Sequence, residues 1–291
     1  VEEEGGLKYH PMKNTILSLL VAVGLIGSTS AAIDNYIFSN GDLANGLVGY
    51  YKLDSNANDS SGYGNDGVIV GSLLSTLNQA GQIGGAYYFN GSSSIASSAP
   101  NNRSIVYNSF SLSFWFKADC SETLGAETTS GTSYSHSYVI GGVNGGDGSG
   151  IQIAAGKNGI SVLEHGNAYL PVVLSYQRDF GSSWVQAAIT VLNNQAPLLY
   201  INGNYAATGL NTGRAKIASL FAGDNYEGIG GMGYGYFTGS IADVGIWNTA
   251  LSSSQVSQLY TLQSAPEPST YALFGIGAIG LLMVMRRQKT A

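Results

Sequence analysis

Residues 110–117 read Phe-Ser-Leu-Ser-Phe-Trp-Phe-Lys (FSLSFWFK). Phe110, Leu112 and Phe114 alternate with Ser111 and Ser113, the period-2 pattern of a strand with one apolar face. Trp115 and Phe116 break that alternation, which predicts a strand end covered on both sides.

Working outward, the same kind of segment recurs between turn signals. Upstream lie Gly46–Leu53 (GLVGYYKL), a short run at Val68–Val70, Gly84–Asn90 (GGAYYFN) and Ser94–Ser97. The turn-rich stretch Asp54–Asp66 (DSNANDSSGYGND) divides the first two. Downstream, the polar stretch Asp119–Ser135 predicts a long loop, followed by strands at Tyr138–Val143, Ile151–Ala155 and Ile160–Glu164. Trp184–Leu192, Pro197–Ile201, Asn204–Thr208, Ile217–Ala222 and Phe237–Trp247 complete the set. Asn202-Gly203 is a hairpin signal, because both turn positions favour φ > 0. Ser252-x-x-Gln255 is a capping box that predicts a short helix through Leu259-Tyr260. About a dozen short strands with almost no helix predict an all-β sandwich of two antiparallel sheets.

Composition agrees with a secreted β-rich protein: only 10% of the residues are charged, against 41 Gly and 19 Tyr. The single cysteine, Cys120, excludes an internal disulfide framework and a thiolate metal site. At the N-terminus, Met12-Lys13-Asn14, the apolar core Ile16–Ile26 and the small residues Ser28–Ala32 form a secretory signal, with cleavage expected after Ser30-x-Ala32. Residues 1–11 are not needed for that signal, so Met12 is the expected start. Residues 33–264 are then the mature domain, with seven Lys and Arg against fourteen Asp and Glu, a net charge of −7. That balance argues against nucleic acid and anionic membranes as partners.

The C-terminal segment 265–291 has three parts in a fixed order. Pro266-Glu267-Pro268 comes first, then the uncharged apolar run Tyr271–Met285, then Arg286, Arg287 and Lys289. As a helix the run would cover about 22 Å, short of a hydrocarbon core of ~30 Å. Basic residues behind it would stay in the cytoplasm and place the domain across the membrane. This order resembles the PEP-CTERM sorting signal of Gram-negative bacteria. The resemblance implies recognition by an exosortase after passage through the general secretion machinery. It also implies transient anchoring in the inner membrane by a transmembrane helix, and delivery to the cell envelope or extracellular matrix.

The order of GLVGYYKLDSNANDSSGYGNDG, GGAYYFNGSSSIAS, SLSFWFKAD, WVQAAITV, LLYINGNYAATG and FTGSIADVGIWNTALS resembles the landmarks of laminin G-like domains. Those domains belong to the concanavalin A-like lectin/glucanase superfamily, which implies a jelly-roll sandwich over about Leu43–Leu262. The resemblance also implies a structural calcium ion where the first and last strands meet. Asp54 and Asp243 would be brought together there, with Asn90 and Gly91 of the FNG turn offering oxygen and Asp59 in reserve. Hard cations take such oxygen ligands. Asp59 has an equal reading as an Asx turn, and a second acid that the family often has beside Asp243 is Ala242 here.

Tyr226, Tyr234 and Tyr236 of the Gly-rich stretch 223–236 are candidates to stack on a sugar, or else to pack on a neighbouring segment. Trp115, Trp184 and Trp247 fall within strands and are expected in the core. Asn144–Gly150 (NGGDGSG) lacks the spaced acids of a calcium loop and reads as a flexible turn. Retaining glycosidases need two carboxyls ~5–5.5 Å apart, and no E-x-D-x-E pattern, G-x-S-x-G elbow or H-E-x-x-H pair occurs. The expected function is therefore non-catalytic: adhesion to polysaccharide or surface protein. The alternatives are a structural biofilm component without small ligand and, last, a glycan hydrolase.

Overall fold

The computed structural model describes residue 37 and residues 41–79, 83–97, 104–220, 227–231 and 233–264. All of them belong to one unit, Tyr36–Ala265. The proposed leader, the Pro-Glu-Pro motif, the run 271–285, Arg286 and Arg287 lie outside the described residues. Among the described residues no helix is long and apolar enough to cross a membrane.

Two sheets face each other. The first is built from β3 (Leu74–Leu77), β4 (Ile83–Asn90), β7 (Phe110–Ala118), β12 (Val185–Val191), β13 (Leu198–Ile201), β14 (Asn204–Thr208) and β17 (Thr238–Trp247), with β1 (Leu47–Tyr51) paired to β17. The second holds β2 (Gly67–Val70), β5 (Ser94–Ser97), β8 (Tyr138–Gly141), β9 (Ser149–Gly156), β10 (Gly159–His165), β11 (Val172–Gln177) and β16 (Gly228–Ile229). β15 (Lys216–Leu220) pairs in parallel with the beginning of β9, at Ser149 and Gly150, and antiparallel with β6 (Ser104–Tyr107). The remaining described strand pairs are antiparallel, and the jelly-roll sandwich expected from the sequence is what the chain forms.

Phe110, Leu112, Phe114 and Phe116 of β7 make one inward row in the core between the sheets. Phe116 thus continues the alternation, and Trp115 is the residue that departs from a polar outer row. The outer row is nevertheless buried: Ser111 and Ser113 are 0% and 1% exposed. The cover is the C-terminal segment. Ser111 Oγ donates to Thr249 O at 3.0 Å and accepts from Leu251 N–H at 2.8 Å. Helix α1 (Ser253–Ser264) then lays Val256, Leu259 and Gln263 on the sheet. Its capping box is formed by Gln255 N–H to Ser252 Oγ at 3.3 Å and Ser252 N–H to Gln255 Oε1 at 2.9 Å. Trp115 stacks on Tyr260 with ring centroids 5.5 Å apart.

β17 is the spine of the first sheet. β7 lines one of its edges, while β4 pairs with its beginning and β1 with its end. Between those partners a bulge sets three steps of β17, Ala242 to Gly245, against two of β7, Trp115 to Ser113. The inward residues change phase there, from Phe237 and Ile241 to Val244 and Ile246. Asp243, at φ 49°, is the inserted residue that keeps both halves facing the core.

Candidate functional site

The rim predicted for calcium is only partly assembled. β1 and β17 pair antiparallel with Tyr51 opposite Val244, and Asp243 N–H reaches Lys52 O at 3.4 Å. Asp54 and Asp243 therefore lie at the same corner. Asn90 and Gly91 do not. Asn90 is opposite Thr238, five residues from Asp243 along β17, or about 17 Å. Asn90 Oδ1 accepts from Ser92 N–H and Ser92 Oγ, both at 3.0 Å. Asp59 accepts backbone N–H groups from Tyr50 and Ser61, each at 2.9 Å, and from Asn65 at 3.1 Å. Its carboxylate organises the turn that follows β1. The five residues thus form no single ligand set, and the described residues hold no group of three or more His, Cys, Asp or Glu placed for a metal.

Asp243 has protein donors. Tyr50 O–H donates to Oδ1 at 3.0 Å and Gln79 Nε2 to Oδ2 at 2.5 Å. Burial pushes this carboxyl up to about 6; hydrogen bonds from Gln79 and Tyr50 and the nearby Lys52 pull it down, and Asp54 adds to the rise. The pair continues into α1: Gln263 donates to Tyr50 Oη at 2.8 Å and accepts from Trp115 Nε1 at 2.8 Å and Gln186 Nε2 at 2.9 Å. This corner is a polar tie between sheet and helix.

A cleft of about 150 Å³ opens on the outer face of the second sheet. It borders an apolar cluster of Tyr138, Ala154, Leu163, Leu170 and Val172, on which Tyr234 packs, and shares Leu170 and Tyr234 with it. Tyr134 and Tyr234 stand at its mouth with ring centroids 4.8 Å apart, and Tyr234 meets the His165 ring edge-on at 5.6 Å. Gln152 Nε2 donates to His165 Nδ1 at 3.1 Å, which leaves the proton of the neutral ring on Nε2. Asn144 and the stretch Gly166–Leu170, including Tyr169, complete the lining.

Arg214 packs on the lining residue Tyr169. Its guanidinium lies 4.1 Å from the Tyr169 ring centroid. It donates to Gly146 O at 3.2 Å, Gly148 O at 2.9 Å and Ser149 Oγ at 2.9 Å. The stretch Asn144–Gly150, expected as a turn, turns at residues 146–148 and is hydrogen-bonded: Asn144 Oδ1 accepts Gly146 N–H at 3.0 Å, and Gly145 N–H binds His165 O at 3.0 Å. Behind Tyr169, buried Glu164 accepts from Thr212 Oγ1 at 2.7 Å and faces Lys216 Nζ at 3.4 Å. That pair is close as charges but misaligned for a hydrogen bond, since Glu164 Oε1 has no donor. Burial, then Glu164, raises the Tyr169 hydroxyl, which the Thr212 hydrogen bond and Arg214 partly offset.

Of the three tyrosines singled out from the sequence, Tyr234 lines this cleft. Tyr236 is 39% exposed, bridges to Gly231 and does not line the cleft. Tyr226 lies outside the described residues. Tyr134, His165, Tyr169 and Arg214 carried no sequence signal, because loops that are distant in the chain bring them together. Trp115 and Trp247 are in the interior as expected, at 3% and 0% exposed.

The chain belongs to the concanavalin A-like lectin/glucanases superfamily, whose laminin G-like family model matches residues 89–257. A PEP-CTERM protein-sorting motif matches residues 264–288, which marks an exported, transiently membrane-anchored protein of the kind an exosortase processes. No curated protein matches the chain. Among solved structures it is similar to domain 4 of AbnA, a GH43 extracellular arabinanase from Geobacillus stearothermophilus, in complex with arabinotriose. That likeness has 23% identity and a TM-score of 0.51, over 74% of this chain and 98% of that domain. It is also similar to the binding domain of botulinum neurotoxin DC in complex with rat synaptotagmin II, at 16% identity and a TM-score of 0.50. The match covers 75% of this chain and 52% of that one, so the chain spans about half of the neurotoxin domain. Both likenesses concern the fold.

Proposed function

We propose that this chain is a non-catalytic surface or matrix protein that binds a polysaccharide in the cleft lined by Tyr134, Tyr234, Tyr169 and His165. The observation that carries the reading is the cleft itself: paired aromatic rings beside an imidazole, outside the core, with the lining Tyr169 ring held by the Arg214 guanidinium. Sugars are recognised by apolar ring faces together with a few placed polar groups. The volume of about 150 Å³ lies below the ~300–1,000 Å³ of drug-sized pockets, so it suits one ring or a chain end. The arabinanase domain, whose structure contains arabinotriose, supports testing arabino-oligosaccharides first. Non-catalytic here refers to glycosidic bonds: the buried Glu164 faces Lys216.

A glycan array probed with the wild-type chain and with Tyr234→Ala tests this reading. Selective binding by the wild type, weakened about tenfold in Tyr234→Ala, is the expected outcome for loss of one stacking ring. Absence of binding to any glycan would favour the alternative of a structural envelope component without small ligand.

Calcium enters the proposal only through Asp54 and Asp243, where a cation would share oxygens with the Tyr50 and Gln79 donors. A rise in melting temperature with calcium, lost in Asp243→Asn, would support it by mass action. Equal melting temperatures in calcium and in chelator would remove it.

A further inference from the structure

Within the long loop 119–137, three polar side chains are held in a linear relay. Glu122 and His136 have no exposed side-chain surface, whereas Ser133 is half-buried. Glu122 Oε1 lies 2.5 Å from His136 Nδ1, and Ser133 Oγ lies 2.8 Å from His136 Nε2. The tautomer follows from the partners. An ionised carboxylate only accepts, so Nδ1 carries the proton of the neutral ring; Nε2 then presents its lone pair to the Ser133 hydroxyl. That is the polarity by which a histidine takes a proton from a serine nucleophile while an acid orients the ring.

Each member is held from outside the relay. Glu122 N–H donates to Asn158 Oδ1 at 2.7 Å, its carbonyl accepts Asn158 Nδ2 at 3.0 Å, and Oε2 accepts Ser137 N–H at 2.9 Å. Gly156 makes this approach feasible, since a Cβ there would stand 2.1 Å from Glu122 N. Ser133 N–H is tied to Leu170 O at 2.8 Å. Ser135, between serine and histidine, is left-handed at φ 68°, which folds the loop so that residues three apart meet. Gly235 lets the next loop close over the histidine, because a Cβ there would be 2.0 Å from His136 O.

The relay borders the cleft. Tyr134 follows Ser133 directly, and Leu170 is its backbone partner; both line the cleft. The Tyr138 hydroxyl, 1% exposed as a residue, has no hydrogen-bond partner. Its ring lies 5.8 Å from that of His136, and burial, then the charge of Glu122, raises its hydroxyl. A buried hydroxyl without a partner beside an ordered Ser–His–Glu relay points to a polar group that this corner is built to receive.

We propose that Ser133, His136 and Glu122 form an activated-serine site that accepts acyl groups from small esters, at the margin of the aromatic cleft. Ser133 Oγ bonds to the ester carbonyl carbon as its proton passes to His136 Nε2. The C–O bond to the alcohol breaks, and the imidazolium returns the proton to the leaving alkoxide. Water then attacks the acyl-serine with His136 as base, releasing a carboxylic acid and restoring the hydroxyl. The site goes beyond the binding reading and does not require it, since it concerns ester and not glycosidic bonds.

The test is labelling of the full-length chain in membrane extracts with a fluorophosphonate, followed by peptide mapping and hydrolysis of p-nitrophenyl acetate. Modification should map to Ser133, vanish in Ser133→Ala, and slow at least about a hundredfold in His136→Gln. If His136→Gln does not fold, the wild-type pH profile decides. A labelling rate that rises as one imidazole loses its proton supports the site; a rate that only follows hydroxide overturns it. Failure of Ser133 to label faster than the chain's other serines would make the relay a loop staple and overturn the proposal. Glycan binding that persists in Ser133→Ala would leave the cleft reading intact in either case.

Discussion

At the level of single residues, Asp243 carries the largest consequences. It occupies a left-handed conformation that a non-glycine residue adopts at a cost of about 1–3 kcal/mol, and its carboxyl sits among Tyr50, Gln79 and Asp54. Its folded pKa of about 6 lies above the ~3.9 of an unfolded aspartate. Between these values the native state holds the extra proton, so this group's contribution to stability falls as pH rises from about 4 to about 6 and is constant beyond. The full shift corresponds to at most ~3 kcal/mol, and the remaining solvent contact of Asp243 brings it toward ~1 kcal/mol. Asp243→Asn keeps the tolerated left-handed residue type and removes the titration. Melting curves at pH 4.5 and 6.5 should show a smaller wild-type-minus-variant difference at the lower pH. An unchanged difference would mean that the carboxyl is not held as described.

At the level of elements, the tie between α1 and the first sheet explains what period-2 reading could not supply. Ser111 and Ser113 have the alternation of a solvent-facing row, yet they are buried because a segment 138 residues later in the chain, beginning at Thr249, lies over them. Gln263→Ala would remove the acceptor of the Trp115 indole N–H and of the Gln186 amide. Orphaning such buried donors should destabilise the domain by about 2–3 kcal/mol, or roughly 4–12 °C in melting temperature. A change under 1 °C would show that α1 is not docked on this sheet. β3 and β11 were not foreseen for local reasons. Leu74–Leu77 ends a sheet with Leu74 and Leu77 exposed, and Val172–Gln177 begins with two adjacent valines, so neither strand presents a clean apolar face. The Asn202-Gly203 hairpin was legible because φ values of 50° and 75° demand those residue types.

At the level of the whole molecule, sheet-on-sheet architecture was legible because strand periodicity and turn chemistry are local properties, and the family was legible only through the resemblance of its landmark segments in order. The first-to-last strand pairing at Asp54 and Asp243 was legible too, while the position of Asn90 was not: reaching the same strand is a weaker condition than reaching the same end of it. The aromatic cleft and the Ser133 relay depend on where loops 119–137, 144–150 and 233–236 cross the second sheet. Side chains in such loops answer to no repeating pattern, so Tyr234 was reachable only through its composition-rich surroundings and Arg214 not at all. The central claim is that an exported sandwich holds a sugar in that cleft. The most direct test is calorimetric titration of the strongest array ligand into the wild type, Tyr234→Ala and Tyr205→Ala. Tyr205 is 59% exposed on β14 of the first sheet and serves as the remote control. The account predicts affinity lost about tenfold in Tyr234→Ala and unchanged in Tyr205→Ala. Equal affinity for all three proteins would place the binding surface elsewhere and contradict it.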